Sequence, residues 1–362
     1  MKNRIISVVF VGVLLTIVIL WLSLPKHDYS QSERRQLASM PDVSIESLLN
    51  GSFMEKMQLF MMDSFPFRDG FRSVSGWMNA YVFQQKDNDG IYVENGYAVD
   101  MEYPLNETSV KRAGERISYI YNHYLKDTDV KIYLSIIPDK NYFVAEESGH
   151  LSMDYQKFVE LIRANTTFAT YLDLFPLLQI EDYYKTDVHW RQEQIYDVAK
   201  FLANGMETEL TAKFTEIELD TDFYGVYCSQ SGLALKPEPI TYLTNDELAG
   251  CKVYDYEHEK EILIYDIEKA YGRDSYEMFL SGAISLITIE NSQASMEKEL
   301  IIFRDSFGSS IAPLLVNGYS KITLVDTRYI QSNIVGKYIQ FDDQDVLFLY
   351  NTQVLNNSET MK

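Results

Sequence analysis

The chain has 362 residues, with 53 acidic against 32 basic side chains and a formal charge of -21. That surplus of acid excludes a broad electrostatic grip on nucleic acid, which needs Lys and Arg in excess, and disfavours adsorption to an anionic lipid surface beyond a dedicated anchor. Hydrophobic content of 46% and charged content of 23% are globular values, while two cysteines, Cys228 and Cys251, exclude a disulfide framework and a cysteine-based zinc site. One pair or two unpaired thiols remain open.

The first element is apolar. Residues 5–24 read IISVVFVGVLLTIVILWLSL without a charge. At about 1.5 Å per residue this run reaches roughly 30 Å, the hydrocarbon thickness of a bilayer. Lys2 and Arg4 lie on its short side and Trp21 near its far end. The positive-inside rule then puts residues 1–4 in the cytoplasm and the bulk of the chain on the extracytoplasmic side of the cell membrane, held by a single-pass anchor. A cleaved signal peptide is the rival. Its apolar region is shorter, about 7–15 residues, and ends in small residues, unlike Trp21-Leu22-Ser23-Leu24-Pro25. Residues 25–50 read as a juxtamembrane tether and residues 51–362 as the extracytoplasmic domain.

Over residues 52–85, Phe53, Met57, Phe60 and Met61, then Phe71, Val74, Trp77, Met78 and Tyr81, recur at helical spacing. This predicts an amphipathic helical pair packed on a core rather than a methionine cofactor site. Asp89-Gly90 and Asn95-Gly96 flank IYVE, a hairpin signal. A charged amphipathic helix is expected over 107–126. An α/β rhythm follows: a buried strand at 130–137 ended by Pro138, a helix around 153–164, a strand at 168–175 and a helix at 193–204. Residues 211–290 interrupt it as a β-rich insertion or small lobe. Strands resume at 299–303, 321–326 and 345–350, with a helix from about Phe307. Strands alternating with helices predict an α/β fold with a mostly parallel sheet and helices on both faces. Ligands of such sheets bind beyond the carboxyl ends of the strands.

Those strand ends carry the candidate residues. Ser306 follows the strand ELIIF and opens a helix, where free N–H groups could stabilise an oxyanion; Gly308 would allow close approach. The bland alternative for Arg304-Asp305-Ser306-Phe307-Gly308 is an ordinary helix cap. A serine nucleophile needs a base, and the base needs an orienting acceptor. Asp187 and His189, two apart in a polar stretch before a helix, supply both. The alternatives for Asp-x-His are a capped helix start or part of a metal site, but no further ligands stand at matching spacing. Lys140, beyond the strand at 130–137, and Arg328 with Tyr329, beyond the strand at 321–326, are candidates for binding an oxyanion or substrate. Arg328 could equally be a structural ion pair with Asp326 or Asp305.

In this order these motifs resemble the DHHW-type proteins, relatives of the SGNH-hydrolase-like alginate O-acetyltransferases. The resemblance spans most of the chain beyond the apolar run. It includes Glu33-Arg34-Arg35-Gln36-Leu37 with Pro41, Asp63-Ser64-Phe65-Pro66-Phe67-Arg68-Asp69, Pro138 with Lys140, Asp187-Val188-His189-Trp190, Arg304-Asp305-Ser306-Phe307-Gly308 and Asp326-Thr327-Arg328-Tyr329. It implies a three-layer α/β/α SGNH-like sandwich and a triad in which Asp187 orients, His189 is the base and Ser306 the nucleophile. It also implies O-acetyl transfer to a cell-surface polysaccharide, with acetyl supplied by a membrane-bound O-acyltransferase and no cofactor. Two positions depart from the pattern: Val188 stands where the name-giving motif has His, and Arg304 where the usual Gly-Asp-Ser block has Gly. The same triad would serve a carbohydrate acetylesterase, and a degenerate site would leave a glycan-binding or assembly module.

Overall fold

The computed structural model describes residues 2–362 apart from 31–34, 84, 234, 295 and 296, so Glu33 and Arg34 of the first motif fall outside the described residues. It divides into two units, Met1–Gly90 with Cys228–Leu235, and Ile91–Tyr227 with Lys236–Lys362.

In the first unit, α1 (Lys2–Ser23) has no buried residue. It is the one helix among the described residues that is long and apolar enough to cross a membrane, as a single-pass anchor or a signal sequence would be. Two-residue strands β1 (Tyr29–Ser30) and β2 (Arg35–Gln36) pair antiparallel, and α2 (Ile45–Leu49) is opened by a Ser44 capping box. The predicted helical pair is present as α3 (Ser52–Asp63) and α4 (Arg68–Trp77), the latter prolonged by a π-helical turn over Met78–Val82. It does not pack on a core as expected. Phe60 is the buried residue of α3 and Gly76 of α4, while Met61, Met62, Phe65, Phe71 and Val74 are exposed. The spacing is that of an amphipathic helix, but among the described residues of this unit no second layer closes over the apolar side.

The second unit opens with the expected hairpin, β3 (Ile91–Glu94) against β4 (Tyr97–Asp100). Asn95 and Gly96 both have positive φ, 50° and 84°, as a two-residue hairpin turn requires. Helix α5 (Glu107–Ile120) is capped by Asn106, whose side chain accepts from the Ser109 N–H. Strand β5 (Lys131–Ile137) follows, then α6 (Lys140–Ser148), α7 (Tyr155–Asn165) and β6 (Thr170–Tyr171). The sequence reading did not separate α6: Pro138 ends β5, and Asp139 at once caps the new helix by accepting from Asn141 N–H at 2.8 Å. Strand β6 keeps two residues of the eight expected, since it is the sheet edge and pairs on one side.

Next come α8 (Tyr196–Gly205), β7 (Thr215–Phe223), β8 (Glu238–Thr244), β9 (Lys252–Asp255), β10 (Lys260–Ile262) and β11 (Leu286–Glu290). The chain ends with β12 (Glu299–Arg304), α9 (Gly308–Leu315), β13 (Lys321–Val325), β14 (Asp345–Asn351) and α10 (Thr352–Asn356). Eight strands form one sheet in the order β10-β9-β11-β13-β12-β14-β5-β6. The five from β13 to β6 are parallel; β11, β9 and β10 join them antiparallel. The segment 211–290 is therefore not one separate lobe. Only β7 and β8 form a sheet of their own, while the rest widens the central sheet.

The central strands are apolar on both faces, which is why they read as unbroken apolar runs. Leu300 and Ile302 of β12 cluster with Leu347 and Leu349 of β14 and with side chains of α8 and α9. The alternate residues Ile301, Phe303, Val346 and Phe348 cluster with side chains of α5 and α7. At 0–2% exposure each, such a side chain contributes about 1.5–3 kcal/mol on burial. The result is a rigid mixed α/β body whose parallel strands end along one rim.

Candidate active site

Ser306 stands two residues beyond the end of β12, in the turn that leads into α9. From 301 to 310 it alone is not buried. The neighbouring carboxylate fastens this turn. Asp305, fully buried, accepts from Phe307 N–H through Oδ1 at 3.0 Å and from Asn351 N–H through Oδ2 at 2.6 Å, tying the end of β12 to the end of β14. Asn351 in turn donates to the Ile137 carbonyl at the end of β5. Three strand ends are thus locked around the serine. Burial pushes the Asp305 carboxyl upward in pKa, opposed first by Arg328.

His189 comes from the loop before α8. Its Nε2 lies 2.7 Å from Ser306 Oγ, and its Nδ1 lies 2.6 Å from Asp187 Oδ1. Asp187 is buried and held from three directions: Oδ1 also accepts from His189 N–H at 3.1 Å, and Oδ2 accepts from Val226 N–H at 2.8 Å. That last bond needs Gly225. A Cβ there would sit 2.1 Å from the Thr186 carbonyl oxygen, so only a glycine lets this backbone approach so closely. With Asp187 accepting at Nδ1, the neutral imidazole carries its proton there and presents an unprotonated Nε2 to the hydroxyl. The three residues thus form one hydrogen-bonded chain, the arrangement that lets a serine hydroxyl lose its proton as it attacks.

The second group of candidates is placed differently. Lys140 is buried in the first turn of α6, donates from Nζ to the carbonyls of Tyr184 at 2.9 Å and Lys185 at 3.2 Å, and lies over the Tyr227 ring. It braces the loop that carries Asp187. Arg328 grips Asp326 bidentately at 2.9 and 2.7 Å, the ion pair weighed above. Asp326 also lies 3.7 Å from the fully buried Arg304 guanidinium. Tyr329 is half-exposed, with Arg328 packed over its ring. Gly308 is required by packing: a Cβ would fall 2.7 Å from Arg304 Cβ. Arg304 occupies the position of the expected glycine, and Gly308 gives its side chain room.

Sequence reasoning missed the aromatic clamp on the histidine. Tyr276 stacks on the His189 ring at 3.7 Å between centroids and 8° between planes, and Phe307 meets it at 4.9 Å. The buried Tyr276 hydroxyl is 2.7 Å from Ser310 Oγ, which also accepts from Trp190 Nε1–H at 2.8 Å. Gln192 donates to the Ser310 carbonyl and accepts from Leu243 N–H. Nothing local marked Tyr276, one of 27 tyrosines, or Gly225, one of 17 glycines. Among the described residues no group of His, Cys, Asp and Glu is arranged to hold a metal ion.

No protein-family model and no curated protein matches the chain. Solved structures do. A DHHW family protein from Eubacterium siraeum superposes with a TM-score of 0.62 at 16% identity, over 76% of this chain and 95% of that one. Bacillus cereus PatB1 with a sulfonyl adduct gives 0.59 at 20% identity, over 73% and 95%. PatB1 without the adduct gives 0.60 at 16%, over 75% and 98%. At such identities the likeness is one of fold. The chain is thus similar, in its mixed α/β fold around a large central sheet, to a DHHW family protein and to PatB1, as its motifs led one to expect.

Proposed function

We propose that this chain is a membrane-anchored, extracytoplasmic O-acetyltransferase of SGNH type, a three-layer α/β/α sandwich acting on a cell-surface polysaccharide. The observation that carries the reading is the hydrogen-bonded chain from Asp187 through His189 to Ser306. The resemblance of the motifs and the fold shared with a DHHW family protein and PatB1 support it.

The chemistry follows from the geometry. Ser306 Oγ attacks the acyl carbonyl while His189 Nε2 takes its proton, and Asp187 stabilises the imidazolium that forms. The Ser306 N–H, which meets no acceptor among the described residues, is free to donate to the developing oxyanion. Collapse returns the proton from Nε2 to the leaving group and leaves an acetyl ester on Ser306. A sugar hydroxyl, deprotonated by the same Nε2, then attacks that ester, leaving with the acetyl group and restoring the serine. Outside the cell acetyl-CoA is absent, so the acetyl donor would be a membrane-bound O-acyltransferase, and α1 would keep the chain beside it.

The test is incubation of the full chain in detergent with a nitrophenyl acetate. A burst of nitrophenol, with one acetyl group added in mass at Ser306 and lost in His189→Ala, is expected. Added oligosaccharide should then collect the acetyl group. Steady acetate release that oligosaccharide does not divert would assign a carbohydrate acetylesterase instead. Absence of both burst and adduct would favour a glycan-binding or assembly role.

A further inference from the structure

The helices that follow the apolar segment carry a second apolar surface. Its position is set by a contact at the end of α1. The Trp21 indole N–H donates to Ser64 Oγ at 2.8 Å, and its ring meets Phe60 edge-on with centroids 6.0 Å apart. Trp21 precedes the last residues of α1, where a spanning helix leaves the hydrocarbon and interfacial tryptophans sit with one end wet. The turn between α3 and α4 is therefore at the depth of the membrane–water boundary.

From that turn apolar side chains face outward. Met61, Met62, Phe65 and Phe71 line an open groove of about 1210 Å³ between α3 and α4. Phe71 is 59% exposed, and Phe67 is 65% exposed on a backbone with φ of 57°, a conformation bulky residues rarely adopt. Arg68 and Arg72 also line this groove, but their guanidinium groups have partners. Arg68 pairs with Asp63 and Asp69, and Arg72 donates to the Ser229 carbonyl at 2.7 Å. A contiguous apolar surface of this kind marks a membrane or protein contact rather than a face left to water.

We infer that α3 and α4 lie in the outer leaflet as an interfacial helical hairpin, with lipid acyl chains as the occupant of the groove. The ground is continuity: the surface begins at the contact between α3 and the outer end of α1, where the bilayer is the neighbouring phase. The inference rests on α1 being a membrane anchor. It adds that the first unit is held to the bilayer at two places.

The experiment places an environment-sensitive fluorophore on single cysteines in the full chain, with Cys228→Ser and Cys251→Ser, in phosphatidylcholine nanodiscs at one chain per disc. Labels go on Phe71→Cys and Met61→Cys, with Val13→Cys reporting on α1 and Lys111→Cys on an aqueous site. Doxyl-lipid should quench the Phe71 and Met61 labels roughly threefold or more beyond the Lys111 label, and iodide should spare them, as for a helix lying 5–10 Å into the boundary. If iodide quenches the Val13 label, the anchor reading fails. If Val13 is in lipid but iodide reaches both hairpin labels, the inference is overturned while the anchor stands. If neither quencher reaches the hairpin labels, protein covers the groove, and lipid as its occupant is likewise overturned.

Discussion

Two aspartate–histidine pairs occur in the second unit, and their local geometry is nearly the same. Asp187 Oδ1 holds His189 Nδ1 at 2.6 Å; Asp255 Oδ2 holds His258 Nδ1 at 2.7 Å. Both aspartates are buried, and both cap the backbone beside their histidine, Asp255 by accepting from Glu257 and His258 N–H. They differ on the far side of the ring. His189 is 11% exposed in its side chain, stacked on Tyr276, with Ser306 Oγ on Nε2. His258 is 57% exposed, and no hydroxyl of a described residue lies on its Nε2. A short-range Asp–His hydrogen bond is thus a turn motif that costs the chain little to form. Chemistry needs the third group, brought here from 117 residues away, and a clamp that keeps the ring in line.

The sharpest way to break this comparison is to remove one member from each pair. His189→Ala and Ser306→Ala should each lower acyl-enzyme formation about 10³-fold or more, read as the nitrophenol burst. His258→Ala should stay within about twofold, since a solvent-exposed ring with no described hydroxyl on its Nε2 has no proton to take. A comparable loss in His258→Ala would end the distinction.

The aspartates should separate next. Asp187→Asn favours the wrong tautomer and should lower the rate by about 10²–10⁴-fold, with a stability loss of about 1–3 kcal/mol because one amide oxygen cannot accept from both His189 and Val226 N–H. Asp255→Asn should leave the rate alone and lower stability by only about 1 kcal/mol or less, since a single oxygen holds both turn caps, seen as a small change in Tm.

The clamp gives a smaller effect. Tyr276→Leu removes the stacked face and the hydroxyl on Ser310, and should lower kcat about tenfold with little change in KM, because orientation rather than binding is lost. Among the described residues His258 has no such stacked partner to test. A change confined to KM would instead mark Tyr276 as a substrate contact.

The smallest expected effect concerns a buried carboxylate with no histidine. Glu102 accepts from Asn356 Nδ2–H at 2.6 Å, and burial, then Asp139, pushes its carboxyl from 4.5 up to about 7. The folded state therefore keeps a proton between pH 4.5 and about 7 that the unfolded chain gives up. Stability from this group is present at the acid end and falls as pH rises through that window. Glu102→Gln retains the acceptor without the charge. It should flatten the pH dependence of Tm and raise stability at pH 8 by about 1 kcal/mol or somewhat more. A Tm that falls at pH 8 would mean the carboxylate is better satisfied than its surroundings indicate.

Much of this molecule is legible along the chain, for reasons that are local. An uncharged, mostly apolar run of twenty residues is a long helix whatever surrounds it. Continuous apolar runs such as VLFLY are strands buried on both faces, and Asn95-Gly96 must turn because both residues accept positive φ. Asp187 and His189 stand two apart in one loop, and Ser306 follows a strand, so their chemistry could be matched before their positions were known. What could not be read is what depends on partners distant in the chain. The stacking of Tyr276 on His189 and Asp305 reaching the end of β14 both join segments tens of residues apart. The antiparallel strands β9 and β11 are short, and their places in the sheet depend on partners distant in the chain, β9 on β11 and β11 on β13. Helical spacing in α3 and α4 marked an apolar face truly, but periodicity says only that such a face exists. Whether protein or another phase covers it is decided by packing, and here no protein layer among the described residues does.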